Sequence, residues 1–91
     1  MNSNGQKILV VDDEPPLLKM MGLYLTRVGY AAALFESSDR AWEAAGQAAG
    51  EFAAAVLDAT LRGMSTQELA LKLLAANPSI CVVVALSLIH I

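Results

Sequence analysis

The stretch Lys7-Ile8-Leu9-Val10-Val11-Asp12-Asp13-Glu14-Pro15-Pro16 decides the reading of this chain. Ile8 to Val11 is a continuous apolar run, mostly β-branched, of the kind that forms a strand buried on both faces. Three carboxylates follow it directly, and two prolines follow them. Two carboxylates about 4 Å apart repel by roughly 4 kcal/mol at an effective dielectric near 20. Such a cluster persists where water screens it or a cation occupies it. Oxygen ligands alone suit a hard divalent ion, Mg2+ before Zn2+. On this stretch by itself, a solvated acidic turn and a cation site explain the pattern equally well.

Working outward, Leu18, Met21, Leu25 and Val28 form one apolar helical stripe. Pro15 and Pro16 suit its first turn, and Gly29 suits its end. Ala31 to Phe35 reads as a second strand. Ser37, Ser38 and Asp39 are N-cap candidates for a second helix from about Arg40 to Ala49, stopped by Gly50. Phe52 to Leu57 reads as a third strand ending at Asp58. Ser65-Thr66-Gln67-Glu68 has capping-box spacing, and Leu69, Leu73 and Ala76 continue the face of a third helix. Asn77-Pro78 stops that helix, and Ile80 to Leu86 reads as a fourth strand.

The chain has 91 residues, 56% of them hydrophobic, which fits one small domain and excludes a disordered protein. Its net charge of -3 offers no basic surface for nucleic acid or anionic lipid. The single cysteine, Cys81, leaves neither a disulfide framework nor a CxxC metal site, and its apolar neighbours make it a small core residue. No apolar run is long enough for a signal peptide or a membrane span, so the expected location is cytoplasmic. His90 stands alone near the end and is not a ligand candidate. Trp42 and Met64 read as packing residues before recognition residues, with Trp42 on the partly exposed second helix. Glu14 reads as an N-terminal helix residue before a metal ligand.

Strands that alternate with helices and are apolar throughout imply a parallel sheet covered on both faces. In such sheets the functional crevice lies at the carboxyl ends of the strands. If the first and third strands are neighbours, Asp12, Asp13 and Asp58 all face that crevice.

Ile8 to Glu14, the strand ending Val56-Leu57-Asp58, and the Leu86-Ser87 step after an apolar strand resemble the receiver domain of two-component response regulators. The resemblance runs from about Gln6 to Ser87. It implies a flavodoxin-like doubly wound α/β fold, β1-α1-β2-α2-β3-α3-β4 with strand order 2-1-3-4 and the final βα unit missing. It also implies Asp58 as phosphoacceptor, taking a phosphoryl group from a sensor histidine kinase or phosphotransfer protein. Asp13 would bind Mg2+ directly, Asp12 mainly through water, and the backbone carbonyl of Thr60 would supply a third protein ligand. Ser87 stands where the family keeps a Ser or Thr whose hydroxyl reaches the phosphoryl group.

The departures from the family pattern are specific. Arg62 replaces a proline, which loosens the loop after Asp58, and Ser65-Thr66 replaces Asp-Gly; none of these changes removes a side-chain ligand. No lysine follows Lys72, so the family's cation opposite the phosphorylated aspartate has no counterpart. Residues 87–91 look like a read-through tail and not like the family's loop. Residues 6–91 are therefore expected to form a receiver domain incomplete at its C-terminus, behind a short disordered leader, 1–5, with any output domain or effector lying beyond the C-terminus. A flavin binder on the same sheet is disfavoured, because Asp12-Asp13-Glu14 would repel its phosphate. An aspartate-nucleophile phosphohydrolase would carry a second Asp where this chain has Thr60. A degenerate receiver or inactive fragment that only binds protein is the remaining alternative.

Overall fold

A computed structural model describes residues 6–61 and 63–85. Its elements are β1 (Lys7–Val11), α1 (Pro15–Arg27), β2 (Ala31–Phe35), α2 (Ser38–Ala45), a 3-10 turn (Ala49–Glu51), β3 (Phe52–Asp58), α3 (Thr66–Ala76) and β4 (Cys81–Ala85). The four strands form one parallel sheet, as the alternation of patterns implied, in the order β2-β1-β3-β4 that the resemblance implied. Leu86 and Ser87 lie outside the described residues, as do residues 1–5, Arg62 and His90.

The double burial of β1 divides its side chains between two cores. Leu9 and Val11 join Ala55, Leu57, Leu69 and Leu73 beneath α2 and α3. Ile8 and Val10 point the other way, against Leu18 and Leu25 of α1. Strand alternation sends successive residues to opposite faces, so an unbroken apolar run is what a centrally placed strand requires.

Both ends of α1 follow from local chemistry. Pro15 and Pro16 occupy the first turn, where a missing amide proton leaves no hydrogen bond unmade. At the other end the amides of Gly29 and Tyr30 donate to the carbonyls of Thr26 and Leu25, a Schellman closure. That closure puts Gly29 at a φ of 101°, where a side chain would be strained. Val28, read from sequence as part of the apolar helical stripe, is instead the C-cap and is exposed. Ser37 caps α2 by accepting from the Arg40 amide, and Ser65 caps α3 by accepting from the Glu68 amide.

Further boundaries and burials differ from the sequence reading. Helix α2 stops at Ala45, four residues early, with Gly46 as its C-cap. A side chain at position 46 would press on the carbonyl and ring of Trp42, and the chain then turns through the 3-10 segment into β3. Ala76 is exposed at the last turn of α3. Cys81 is exposed and not in the core. It pairs with Ala54 on the α1 side of the sheet, but α1 covers β1 and β2 and makes no comparable packing with β4. Val83 and Val84 of the same strand are about half exposed.

Among the described residues no helix is long and apolar enough to cross a membrane.

Candidate functional site

The sheet register builds the site. Val11 pairs with Leu57, so the residue that follows each strand partner, Asp12 and Asp58, emerges at the same edge. Asp13 follows in the turn into α1. One carboxylate oxygen from each of Asp12, Asp13 and Asp58 lies within 4.8 Å of the others. At about 2.1 Å from a Mg2+ ion neighbouring ligands stand roughly 3 Å apart and opposite ones roughly 4.2 Å, so side-chain adjustments of about 1 Å suffice to bring all three onto one ion. The donor set is entirely carboxylate, the hard-oxygen chemistry that suits Mg2+. The three residues thus form a Mg2+-type cluster, and the fit rests on their spacing and donor type.

Burial is uneven across the cluster. Asp58 is only 5% exposed, while Asp12 and Asp13 are partly open to solvent. Asp58 receives a hydrogen bond at Oδ2 from the Thr60 hydroxyl, at 3.2 Å. The Glu14 amide donates to Asp12 Oδ1 at 2.9 Å, an Asx-type turn that fixes the carboxylate at the start of α1. Beside the cluster, Asp13, Phe35, Glu36, Ser37 and Arg40 line an open cleft of about 670 Å³.

Burial raises the pKa of Asp12 above its ordinary value of 3.8; the Glu14 amide opposes this, and the neighbouring charges of Asp58, Glu14 and Asp13 add to it. The sign of the consequence follows directly. Between 3.8 and the raised value, the folded chain holds a proton that the unfolded chain has released. Stability of the metal-free fold therefore falls as pH rises through that window. A cation needs the carboxylate ionised, so its affinity moves the opposite way. Mg2+ titrations taken upward from pH 3.8 to neutrality are expected to give affinity that climbs as Asp12 ionises and then levels, with the climb flattened in Asp12→Asn. A wild-type affinity independent of pH across that range would contradict the assignment.

The loop between β3 and α3 is fastened by hydroxyls whose bonds to it the sequence reading did not anticipate. Thr66 Oγ1 donates to the Asp58 carbonyl at 2.7 Å and lies 3.4 Å from the donating Leu61 amide. Ser38, fully buried on α2, donates to the Met64 carbonyl. The signal was present: two hydroxyl residues, Ser65 and Thr66, stand where the resemblance has Asp-Gly. Gly63 turns the same loop with a φ of 77° and lies against the carboxylate of Asp39. Gly63→Ala therefore meets a disfavoured backbone region and a steric conflict together. It is expected to cost about 1–2 kcal/mol by urea denaturation; an unchanged midpoint would show that the loop re-forms around the methyl group.

No protein-family model matches the sequence, and no curated protein resembles it closely enough to count as a match. Solved structures do match. A response regulator receiver domain protein from Clostridium thermocellum superposes with a TM-score of 0.82 at 20% identity, covering 88% of this chain and 64% of that one. The response regulator TrrA from Thermotoga maritima, solved in complex with Mg2+ and BeF, gives a TM-score of 0.81 at 25% identity over 93% of this chain and 72% of that one. The BeF3-activated DrrB receiver domain gives 0.77 at 26% identity, covering 90% and 66%. The chain thus spans about two thirds of the length of these structures. From β1 to β4 it has the receiver-domain fold of response regulators, with Asp12, Asp13 and Asp58 gathered at the carboxyl edge of its two central strands.

Proposed function

We propose that residues 6–91 act as a phosphoacceptor receiver domain, with Asp58 taking a phosphoryl group from a phosphohistidine on a sensor histidine kinase or phosphotransfer protein. The observation that carries this reading is the meeting of Asp12, Asp13 and Asp58 at one strand edge. The likeness to TrrA, which was solved with Mg2+ and BeF, supports it. Asp13 and Asp58 would hold Mg2+ directly, with Asp12 acting mainly through water and the Thr60 carbonyl as a further ligand. Bound there, Mg2+ supplies positive charge that offsets the anionic oxygens of the phosphoryl group.

The chain's own residues do the rest. An Asp58 carboxylate oxygen bonds to phosphorus as the donor's phosphorus–nitrogen bond breaks, and the imidazole leaves with the electron pair. Burial of Asp58 keeps water from competing for that position, and the Thr60 hydroxyl restricts the rotation of its carboxylate. Ser87 is proposed as the hydroxyl that reaches the phosphoryl group. This is a signalling domain that is modified once per event and not a turnover enzyme. Its expected setting is the cytoplasm, where such donors occur.

Incubation with Mg2+ and a small acyl phosphate, followed by intact mass, tests the reading. A single phosphoryl adduct that disappears when a chelator replaces Mg2+ is expected. A folded chain that takes up no adduct would leave the protein-binding alternative in its place.

A further inference from the structure

We propose that Thr66 is a positioning residue for phosphoryl transfer: its hydroxyl, by joining the Asp58 carbonyl to the loop that follows, fixes the acceptor and the Thr60 carbonyl relative to Asp12 and Asp13. The proposal rests on the phosphoacceptor reading of Asp58, and extends it to a side chain that touches neither metal nor phosphorus.

The argument begins with the sheet. Within a trans peptide unit the carbonyl and the amide proton point in opposite directions. The Ala59 amide donates to the Ala85 carbonyl of β4, so the Asp58 carbonyl turns the other way, toward β1. The ladder between β1 and β3 ends at the pair Val11 and Leu57, one residue short of Asp58. The acceptor's own carbonyl thus sits just past the last rung of the sheet, where strand pairing no longer orients it. Thr66 supplies the donor at 2.7 Å, and the group is buried, so the bond is unscreened by solvent.

The same oxygen lies within reach of the Leu61 amide at 3.4 Å, on the far side of Thr60. One hydroxyl therefore links Asp58, two residues before Thr60, to Leu61, the residue after it. The Leu61 amide belongs to the peptide unit that bears the Thr60 carbonyl, so this bond restrains that carbonyl directly. Thr66 is also the first residue of α3, capped by Ser65, so its own backbone is rigid. The site is tied to a helix and not merely to a loop. Glycine, which the resemblance gives at this place, has no hydroxyl, so the bridge belongs to this chain's own sequence.

Thr66→Val keeps the shape and removes the donor, whereas Thr66→Ser keeps the donor. Both are compared with wild type at a temperature well below their melting points, by circular dichroism. Two quantities are read: the Mg2+ dissociation constant by calorimetry, and the rate of adduct formation at saturating Mg2+ and acyl phosphate. Thr66→Val is expected to weaken Mg2+ binding and slow phosphorylation, each about tenfold, and Thr66→Ser to stay within about twofold of wild type. Thr66→Ala replaces Thr66→Val where the valine disturbs folding. Folded variants lacking the hydroxyl but with wild-type Mg2+ affinity and rate would overturn the proposal. A wild-type chain that binds Mg2+ but accepts no phosphoryl group would refute the phosphoacceptor reading instead, while the Mg2+ affinities would still decide the role of Thr66.

Discussion

Asp58→Asn is expected to lose the phosphoryl adduct altogether and, without metal, to be more stable than wild type. The loss is chemical: an amide oxygen is not a nucleophile toward phosphorus at neutral pH, whereas a carboxylate is. The gain is electrostatic. Asp58 is 5% exposed and one of its oxygens lies within 4.8 Å of oxygens on Asp12 and Asp13. Asparagine has nearly the same shape and keeps an oxygen to accept from the Thr60 hydroxyl. Removing one of three crowded charges should contribute about 1–2 kcal/mol, after allowing for the solvent that reaches Asp12 and Asp13. Mg2+ should reverse the order, because a ligand that binds only the folded state stabilises it by mass action. Melting curves of both proteins, with and without Mg2+, check this. Wild type should gain several degrees from Mg2+ and Asp58→Asn almost none. An adduct retained in Asp58→Asn would place the acceptor elsewhere.

The same electrostatic cost explains why so much of the site was legible in the sequence. A buried apolar strand that ends in adjacent carboxylates is expensive unless something offsets it, so Val11-Asp12-Asp13 stood out before any geometry was known. Asp58 was legible because the length of Phe52 to Leu57 and the turns on either side read as a strand despite its weak, Ala-rich composition, and a parallel sheet brings strand ends to one edge. What stayed hidden depended on three-dimensional neighbours. Cys81 has apolar residues on both sides, yet its burial hinges on which helix covers β4, and α1 sits over β1 and β2. The end of α2 hinges on Gly46 lying against the Trp42 ring, while the more obvious stop at Gly50 meets nothing. Thr66 was noticed as a departure from the family pattern, but its bond to the Asp58 carbonyl spans eight residues and a turn. A local pattern cannot specify such a bond.

Leu57→Ala is expected to bring the fold to the edge of unfolding, and with it to abolish any Mg2+ response. Leu57 is fully buried near the carboxyl end of β3, beneath α2 and α3, beside Leu9, Val11, Leu69 and Leu73. Truncating such a leucine costs about 3–5 kcal/mol, the lost transfer energy plus the cavity left behind. A domain of this size has roughly 5–14 kcal/mol of stability in total. This core lies toward the lower end, because its buried contacts include Ala41, Ala45, Ala49 and Ala55, which contribute little area each. Collapse of the neighbours into the gap is restricted, since Leu57 is flanked on the sheet by Val11 and Val84 at fixed register. Leu71→Ala is the matched control: Leu71 is 60% exposed on α3, so the same truncation should change stability by no more than about 0.5 kcal/mol. Urea denaturation followed by Trp42 fluorescence separates the two. Equal effects at Leu57 and Leu71 would mean that the core beneath α2 and α3 is not closely packed, and the strand edge that gathers Asp12, Asp13 and Asp58 would then have no rigid support.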